Sequence, residues 1–406
     1  MEPWKRMMYK NKMLLFGAGN IGRSFIGQLF SRSGYEVVFV DINKELIKEL
    51  NKKRKYKLVI KRNNLPDEII LIENIRAIDS FDKEAVIREI ADADIVATAV
   101  GKHALPQIVP VIAQGLQLRY KKRGENPLDI IIAENIRNGA DYLRKELKNI
   151  LLQEYPFDEL VGLIEASIGK MVPLMKEEDK KRDLLWVFAE SYNTLIVDKK
   201  GFKNSPPLIN NLWAVENIKA YVDRKLFIHN LGHSAAAYLG YQYDSEITFV
   251  YEALEVPEIY KTVRECMRES AIALNRAYPK DLTLKDLQNH IDNLLFRFQN
   301  KSLGDTIFRV GRDLYRKLEK NERLIGPMLL AQRQGTPYNK IKRAFYASLD
   351  FKAKNEKGEM YPQDKIFFQR EYPRGLKHIL RSVCHLSSHQ DEEAKIMKEI
   401  EKKNQI

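Results

Sequence analysis

The stretch KLFIHNLGHS, residues 225 to 234, sets a lysine, two histidines and an asparagine into an otherwise apolar, helix-like run. Projected on a helix at about 100° per residue, Lys225, Asn230 and His233 fall within an arc of roughly 140° and can face one cleft. Ligands, catalysts and core packing all use such residues, and position alone leaves the three readings open. His229 falls on the same arc, and with His233 it makes an i,i+4 pair of the kind that chelates zinc. That pair lacks a recognisable third ligand. Asn230 also stands where an H-E-x-x-H metal helix carries its glutamate, so no metal is expected.

A second group lies in DTIFRVGRDLYRKL, where Arg309, Arg312 and Arg316 fall at i, i+3 and i+7 within about 60° of arc, and Lys317 about 80° from Arg309. Stacked like charges cost stability unless something anionic answers them. The answer is either a solvated face paired with Asp305, Asp313 and Glu319, or an anionic ligand.

The third group is a glycine turn. KMLLFGAGNIGRSFIGQLFSRSGYEVVFVDINKELIKEL (12 to 50) runs apolar strand, glycine turn, amphipathic helix, second apolar strand, then an acidic residue. Gly17, Gly19 and Gly22 fit G-x-G-x-x-G. The first permits the tight turn, the second lets backbone approach a pyrophosphate, and the third allows close helix packing. The helix N-terminus offers free N–H groups to phosphates, so Gly17, Ala18, Gly19, Asn20, Ile21 and Gly22 form the expected cofactor cradle. Asp41 ends the second strand, where a carboxylate accepts from an adenosine ribose and repels a 2′-phosphate, which favours NAD over NADP.

These groups need elements to hold them. Further strands are expected at ADIVATAVG (93 to 101), LDIIIAEN (128 to 135) and LVGLIEASI (160 to 168), with helices between the first two and over 137 to 150. YKLVI and EIILIENI make an additional short pair. After KKGFKNSPPL (199 to 208), a linker-like stretch, long amphipathic helices take over, and DEEAKIMKEIEKKNQI closes the chain as a charged helix or frayed tail. The expected fold is α/β: a Rossmann-type, doubly wound, mostly parallel sheet over residues 1–203, followed by a mainly α-helical substrate and catalytic domain over 204–406.

The 406 residues suffice for two domains. The net charge of +13 is compatible with nucleic acid, a membrane surface or small anions. No RNP-type motif or zinc-knuckle spacing accompanies it, which speaks against nucleic acid. No run reaches the length of a membrane span, and the basic N-terminal MEPWKRMMYKNK lacks an apolar signal region. Cys266 and Cys384 form no paired pattern, so a reducing, cytoplasmic setting is expected.

Taken together, FGAGNIGRSFIG, TAVG, AEN, DRKLFIHNLGHSAAAYLG and LGDTIFRVGRDLYRKLEKNERLIGP resemble, in order and spacing, the polyol-specific long-chain dehydrogenases, from about residue 13 to 350. Within that family the resemblance runs toward members acting on mannitol 1-phosphate. It implies an NAD-dependent, metal-independent oxidoreductase interconverting D-mannitol 1-phosphate and D-fructose 6-phosphate. Lys225 would be the general acid and base, Asn230 and Asn135 the oxyanion donors, and His233 the group orienting Lys225 or a substrate hydroxyl. His229, outside the K-x4-N-x2-H pattern, would be structural. Arg309 and Lys317 would hold substrate hydroxyls, and one or more of Arg309, Arg312, Arg316 and Lys317 a phosphate. The expected partner is a small sugar phosphate or polyol, and the assembly a monomer or homodimer. SIGKMVP departs from the family, with Gly169 for a substrate-facing aspartate and Lys170 for an arginine. That leaves room for a hexuronate, another sugar phosphate or a free hexitol as substrate. A non-catalytic NAD(H)-binding regulator would have no need of the lysine.

Overall fold

The computed structural model describes residues 11–63, 65–173, 175 and 177–402. They form two compact units that divide between Ile218 and Lys219. In the first unit the strands are β1 (Lys12–Phe16), β2 (Glu36–Asp41), β3 (Lys55–Ile60), β4 (Glu68–Glu73), β5 (Ile75–Asp79), β6 (Ile95–Thr98), β7 (Leu128–Ile132), β8 (Val161–Ser167), β9 (Trp186–Ala189), β10 (Leu195–Asp198) and β11 (Leu212–Val215).

The main sheet runs β5-β2-β1-β6-β7-β8-β10-β11. Its first six strands are all parallel and follow the 3-2-1-4-5-6 order of a dinucleotide-binding sheet, with β1 and β6 flanking the point where strand order reverses. Parallel strands bury both faces, and β1 shows how: Met13 and Leu15 enter one apolar layer, Leu14 and Phe16 the other. The short pair expected at YKLVI and EIILIENI forms as β3 and β4, antiparallel, and β9 joins β3 to complete a second sheet.

Three main-sheet strands lie outside the sequence expectation. β5 follows β4 after a single residue, Asn74, in left-handed backbone. β10 turns antiparallel to β8, and β11 pairs parallel with β10. The stretch from 204 to 218, expected to open the second domain, therefore adds an edge strand to the first unit.

The second unit is helical. A continuous rod runs through Ile218–Arg224, a π-helical turn at Lys225–Asn230, and Leu231–Tyr243. Residues 234–240 of the last segment are all buried, and its glycines let neighbouring helices approach closely: a Cβ on Gly232 would meet Met267 Sδ at 2.5 Å, and one on Gly240 would meet Ala253 Cβ at 2.6 Å. Helix Pro257–Ala277 packs against it, with Leu284–Phe298, Ile325–Arg333 and Asn339–Leu349 filling the bundle. Both cysteines are buried and free, with burial pushing their thiols up. No described helix is long and apolar enough to cross a membrane.

Candidate functional site

In the first unit the glycine turn is built as its spacing demands. Gly17 adopts φ +97°, and a Cβ there would lie 2.5 Å from the Ala99 carbonyl oxygen at the end of β6. A Cβ on Gly22 would collide with the Gly17 carbonyl, whereas Gly19 opens on free space. Gly19 and Asn20 are exposed at the tip. Ala18 is fixed on both sides: its N–H donates to Asp41 Oδ2 at 2.7 Å, and its carbonyl accepts from Arg23 Nε at 2.7 Å. Asp41 Oδ1 accepts from Asn43 N–H at 2.9 Å. The acidic residue at the end of β2 thus braces the turn it follows in sequence.

Asn135 comes three residues after β7 and is exposed. Its neighbour Glu134 is buried and brackets the next loop, accepting from the N–H groups of Val100 and Gly101 at 2.8 Å each. Burial pushes the Glu134 carboxyl up, and these bonds work against that rise. Sequence reasoning passed over Glu134, although it sits inside the AEN motif. At the family departure, a Cβ on Gly169 would come within 3.4 Å of the Tyr192 ring and hydroxyl. Lys170 is buried, donates to the Tyr192 carbonyl at 2.7 Å and Asn193 Oδ1 at 3.1 Å, and lies 5.4 Å above the Phe25 ring.

In the second unit the rod carries Lys225, Asn230 and His233, as expected, but not on a regular α-helix. A π turn closes its hydrogen bonds at i+5 rather than i+4, so residues five apart, such as Lys225 and Asn230, draw toward one face. The Lys225 ammonium is pulled down to about 8, first by burial and then by the charge of Arg323; Glu322 opposes this and Arg316 adds to it. Glu322 links the two arginines, 3.0 Å from Arg323 Nε and 3.6 Å from Arg316 Nη1. Glu322 and Arg323 lie within the last stretch that carries the family resemblance, but nothing in their spacing ties them to Lys225, and only folding brings their charges to bear on it.

His229 is buried among apolar groups and beside Arg297, which hold its imidazole well below the usual range and therefore neutral. Its ring lies 5.6 Å from Phe298. His233 stacks flat on Phe298, with centroids 4.7 Å apart, and its Nε2 is 3.1 Å from Asp305 Oδ2. Among the described residues, no group of three or more His, Cys, Asp or Glu is placed to hold a metal ion.

The basic group does not form one helical stripe. Helix Ile307–Gly311 ends at Arg312, Asp313 turns left-handed at φ 75°, and a new turn runs Leu314–Lys317. Asp364 secures the break by accepting from the N–H groups of Asp313 at 3.0 Å and Leu314 at 2.7 Å. The break gives each cation its own environment. Arg309 pairs with Asp305, and Arg316 with Asp313 and Glu322 rather than Glu319. Arg312 lies 5.5 Å from the Phe308 ring and 5.3 Å from that of Tyr361. Lys317 is buried, donates to the Val310 carbonyl, and is held well below the usual ammonium range by burial and by Arg323 and Arg316.

A family model for the mannitol dehydrogenase Rossmann domain matches residues 11–211, and one for the mannitol dehydrogenase C-terminal domain matches residues 217–402. Mannitol-1-phosphate 5-dehydrogenase of Geobacillus stearothermophilus is 38% identical over 315 residues, 77% of this chain and 80% of its own. The enzyme of that name from Bacillus subtilis is 34% identical over 390 residues, 95% of this chain and 99% of its own. Among solved structures, a substrate-free D-sorbitol dehydrogenase has a TM-score of 0.71 at 17% identity, covering 87% of this chain and 82% of that one. A ternary complex of Pseudomonas fluorescens mannitol 2-dehydrogenase with NAD and D-mannitol has a TM-score of 0.68 at 16% identity, covering 97% of this chain and 95% of that one. These two show the shared fold, and the matches across both units show that the chain belongs to the mannitol dehydrogenase family.

Proposed function

We propose that this chain is an NAD-dependent oxidoreductase that interconverts D-mannitol 1-phosphate and D-fructose 6-phosphate, with Lys225 as general acid and base. The observation that carries the mechanism is a half-buried lysine whose desolvated ammonium is pulled down to about 8, within reach of neutral pH. The glycine turn and Asp41 fit a dinucleotide, because the turn is closed to any Cβ at Gly17 and open at Gly19. When bound, NADH supplies the hydride.

In ketose reduction Lys225 gives its proton to the carbonyl oxygen as the carbonyl carbon becomes a C–H centre, and the amine is left neutral. In alcohol oxidation the neutral amine takes the hydroxyl proton. Asn230 donates its N–H to the oxygen as its charge grows, and His233 orients Lys225 or bonds a substrate hydroxyl. Arg309 and Lys317 hold further hydroxyls, and a phosphate dianion is met within the group Arg309, Arg312, Arg316 and Lys317. The enzyme so described is cytoplasmic and works as a monomer or homodimer, which light scattering in solution distinguishes.

A second reading keeps this chemistry and changes the substrate. It is favoured by Gly169 and Lys170, which stand where the family pattern has a substrate-facing aspartate and an arginine, so that a carboxylate is missing from the polyol-recognition pattern. Initial rates with fructose 6-phosphate, fructose and keto-hexuronates, followed by loss of reduced-nicotinamide absorbance, decide between the two. Fructose 6-phosphate should be reduced fastest. A keto acid or free ketose as the best substrate selects the second reading.

A further inference from the structure

The two ring nitrogens of His233 are treated differently by the fold. The ring plane is set by Phe298, the last residue of helix Leu284–Phe298, against which it lies with an interplanar angle of 8°. Nε2 is buried, and its approach to Asp305 Oδ2 is close enough for an ion pair but off the direction of a well-formed hydrogen bond. The side chain still keeps 17% of its surface. The accessible part of the ring therefore lies away from Nε2.

Asp305 is the less movable of the pair. Its carbonyl accepts from Val250 N–H at 2.9 Å, the next residue bridges Phe249, and Ile307 N–H donates to the Thr248 carbonyl at 2.8 Å. Thr306 then caps helix Ile307–Gly311 through Arg309 N–H at 3.1 Å. The carboxylate reaches Arg309 through Oδ1 and His233 through Oδ2. Burial would raise its pKa, but these two partners outweigh burial and hold it below the usual carboxylate range, so it is ionised at neutral pH.

We propose that Asp305 is a positioning residue, which holds the Nε2 proton of His233 and so leaves Nδ1 as an acceptor turned toward a substrate hydroxyl. A ring nitrogen tied to a carboxylate fixes both the tautomer and the direction of the other nitrogen. With Phe298 fixing the plane and Asp305 the tautomer, His233 meets a substrate already oriented, and Arg309 is tethered to the same carboxylate. The inference rests on the reading of His233 as substrate-facing.

Two measurements test it. Nitrogen-resolved NMR of the full chain with NADH bound and labelled histidines should show a His233 Nε2 proton shielded from water, assigned by its loss in His233→Asn. This arm needs no substrate, so it stands apart from the identity of the ketose and from the folding of any Asp305 variant. In kinetics with whichever ketose the wild type reduces, Asp305→Asn should lower kcat/KM by roughly 10- to 100-fold while NADH affinity is kept, the size expected for a bond to a charged group. In a His233→Asn background the same change should have little further effect. An unprotonated Nε2, an equal loss in both backgrounds, or a loss that disappears only in an Arg309→Lys background overturns the proposal.

Discussion

At the scale of single residues, the property that matters most is the unfavourable burial of one ammonium. Lys225 titrates near 8 because burial and Arg323 both disfavour its charged form. The sign of the pH dependence follows. On the proposed lysine mechanism alcohol oxidation needs the neutral amine, so kcat/KM for mannitol 1-phosphate should rise with pH and level off above about 8. Ketose reduction needs the ammonium and should fall over the same interval, as rate profiles in both directions would show. Replacing Arg323 with Met removes a repelling charge and should move both profiles to higher pH. Lys225→Ala should lower kcat by about 10² to 10⁴ with NADH binding retained; near-normal turnover would reject the lysine mechanism. Asp41 should favour NAD over NADP by at least about tenfold, or about 1.4 kcal/mol, and equal turnover with both would remove it from the cofactor site. The grouping of Lys225, Asn230 and His233 was legible because the three lie close together on one continuous rod, and the position of Asp41 because it ends the second strand of a strand–turn–helix–strand unit. Glu322 and Arg323 were not, because their effect on Lys225 exists only after distant segments have packed.

At the scale of elements, the helix-like run at 225 to 234 is part of a helical rod from Ile218 to Tyr243, but its π turn is invisible to a projection at constant pitch. The broken helix at Arg312 and Asp313 escaped for a related reason. Periodicity predicts continuity there, and the carboxylate that secures the break, Asp364, arrives from another part of the chain. Strands β10 and β11, four residues each and flanked by loop-forming sequence, are too short to show a period. Close packing of the central helix yields a stability prediction. A methyl group on Gly240 would fall on Ala253, a residue with no side chain to swing aside, so Gly240→Ala should destabilise by about 1 to 3 kcal/mol in chemical denaturation. Unchanged stability would mean that the two helices separate at little cost.

At the scale of the whole molecule, a net charge of +13 does not by itself leave these arginines waiting for an anion, since Arg309 and Arg316 already answer carboxylates of the same unit. A phosphate dianion would have to compete for them or use Arg312, which stacks on aromatic rings and has no carboxylate within ion-pair distance among the described residues. Arg316→Ala and Arg312→Ala, assayed with fructose 6-phosphate and with fructose, should separate these cases. Loss of a phosphate contact should cost roughly 10- to 150-fold in kcat/KM, about 1.5 to 3 kcal/mol, for the phosphorylated ketose alone. An equal fall for both ketoses would make the residue structural.

Glu134 has a kinetic consequence. By occupying the amides of Val100 and Gly101 it sets the loop after β6 before any cofactor arrives, beside the sheet position where strand order reverses. A loop already folded has no ordering entropy left to lose on encounter. NADH capture in stopped flow should therefore slow in proportion to solvent viscosity, as a diffusive collision does. In Glu134→Ala a slower, viscosity-insensitive phase should appear as the loop reforms around its guest.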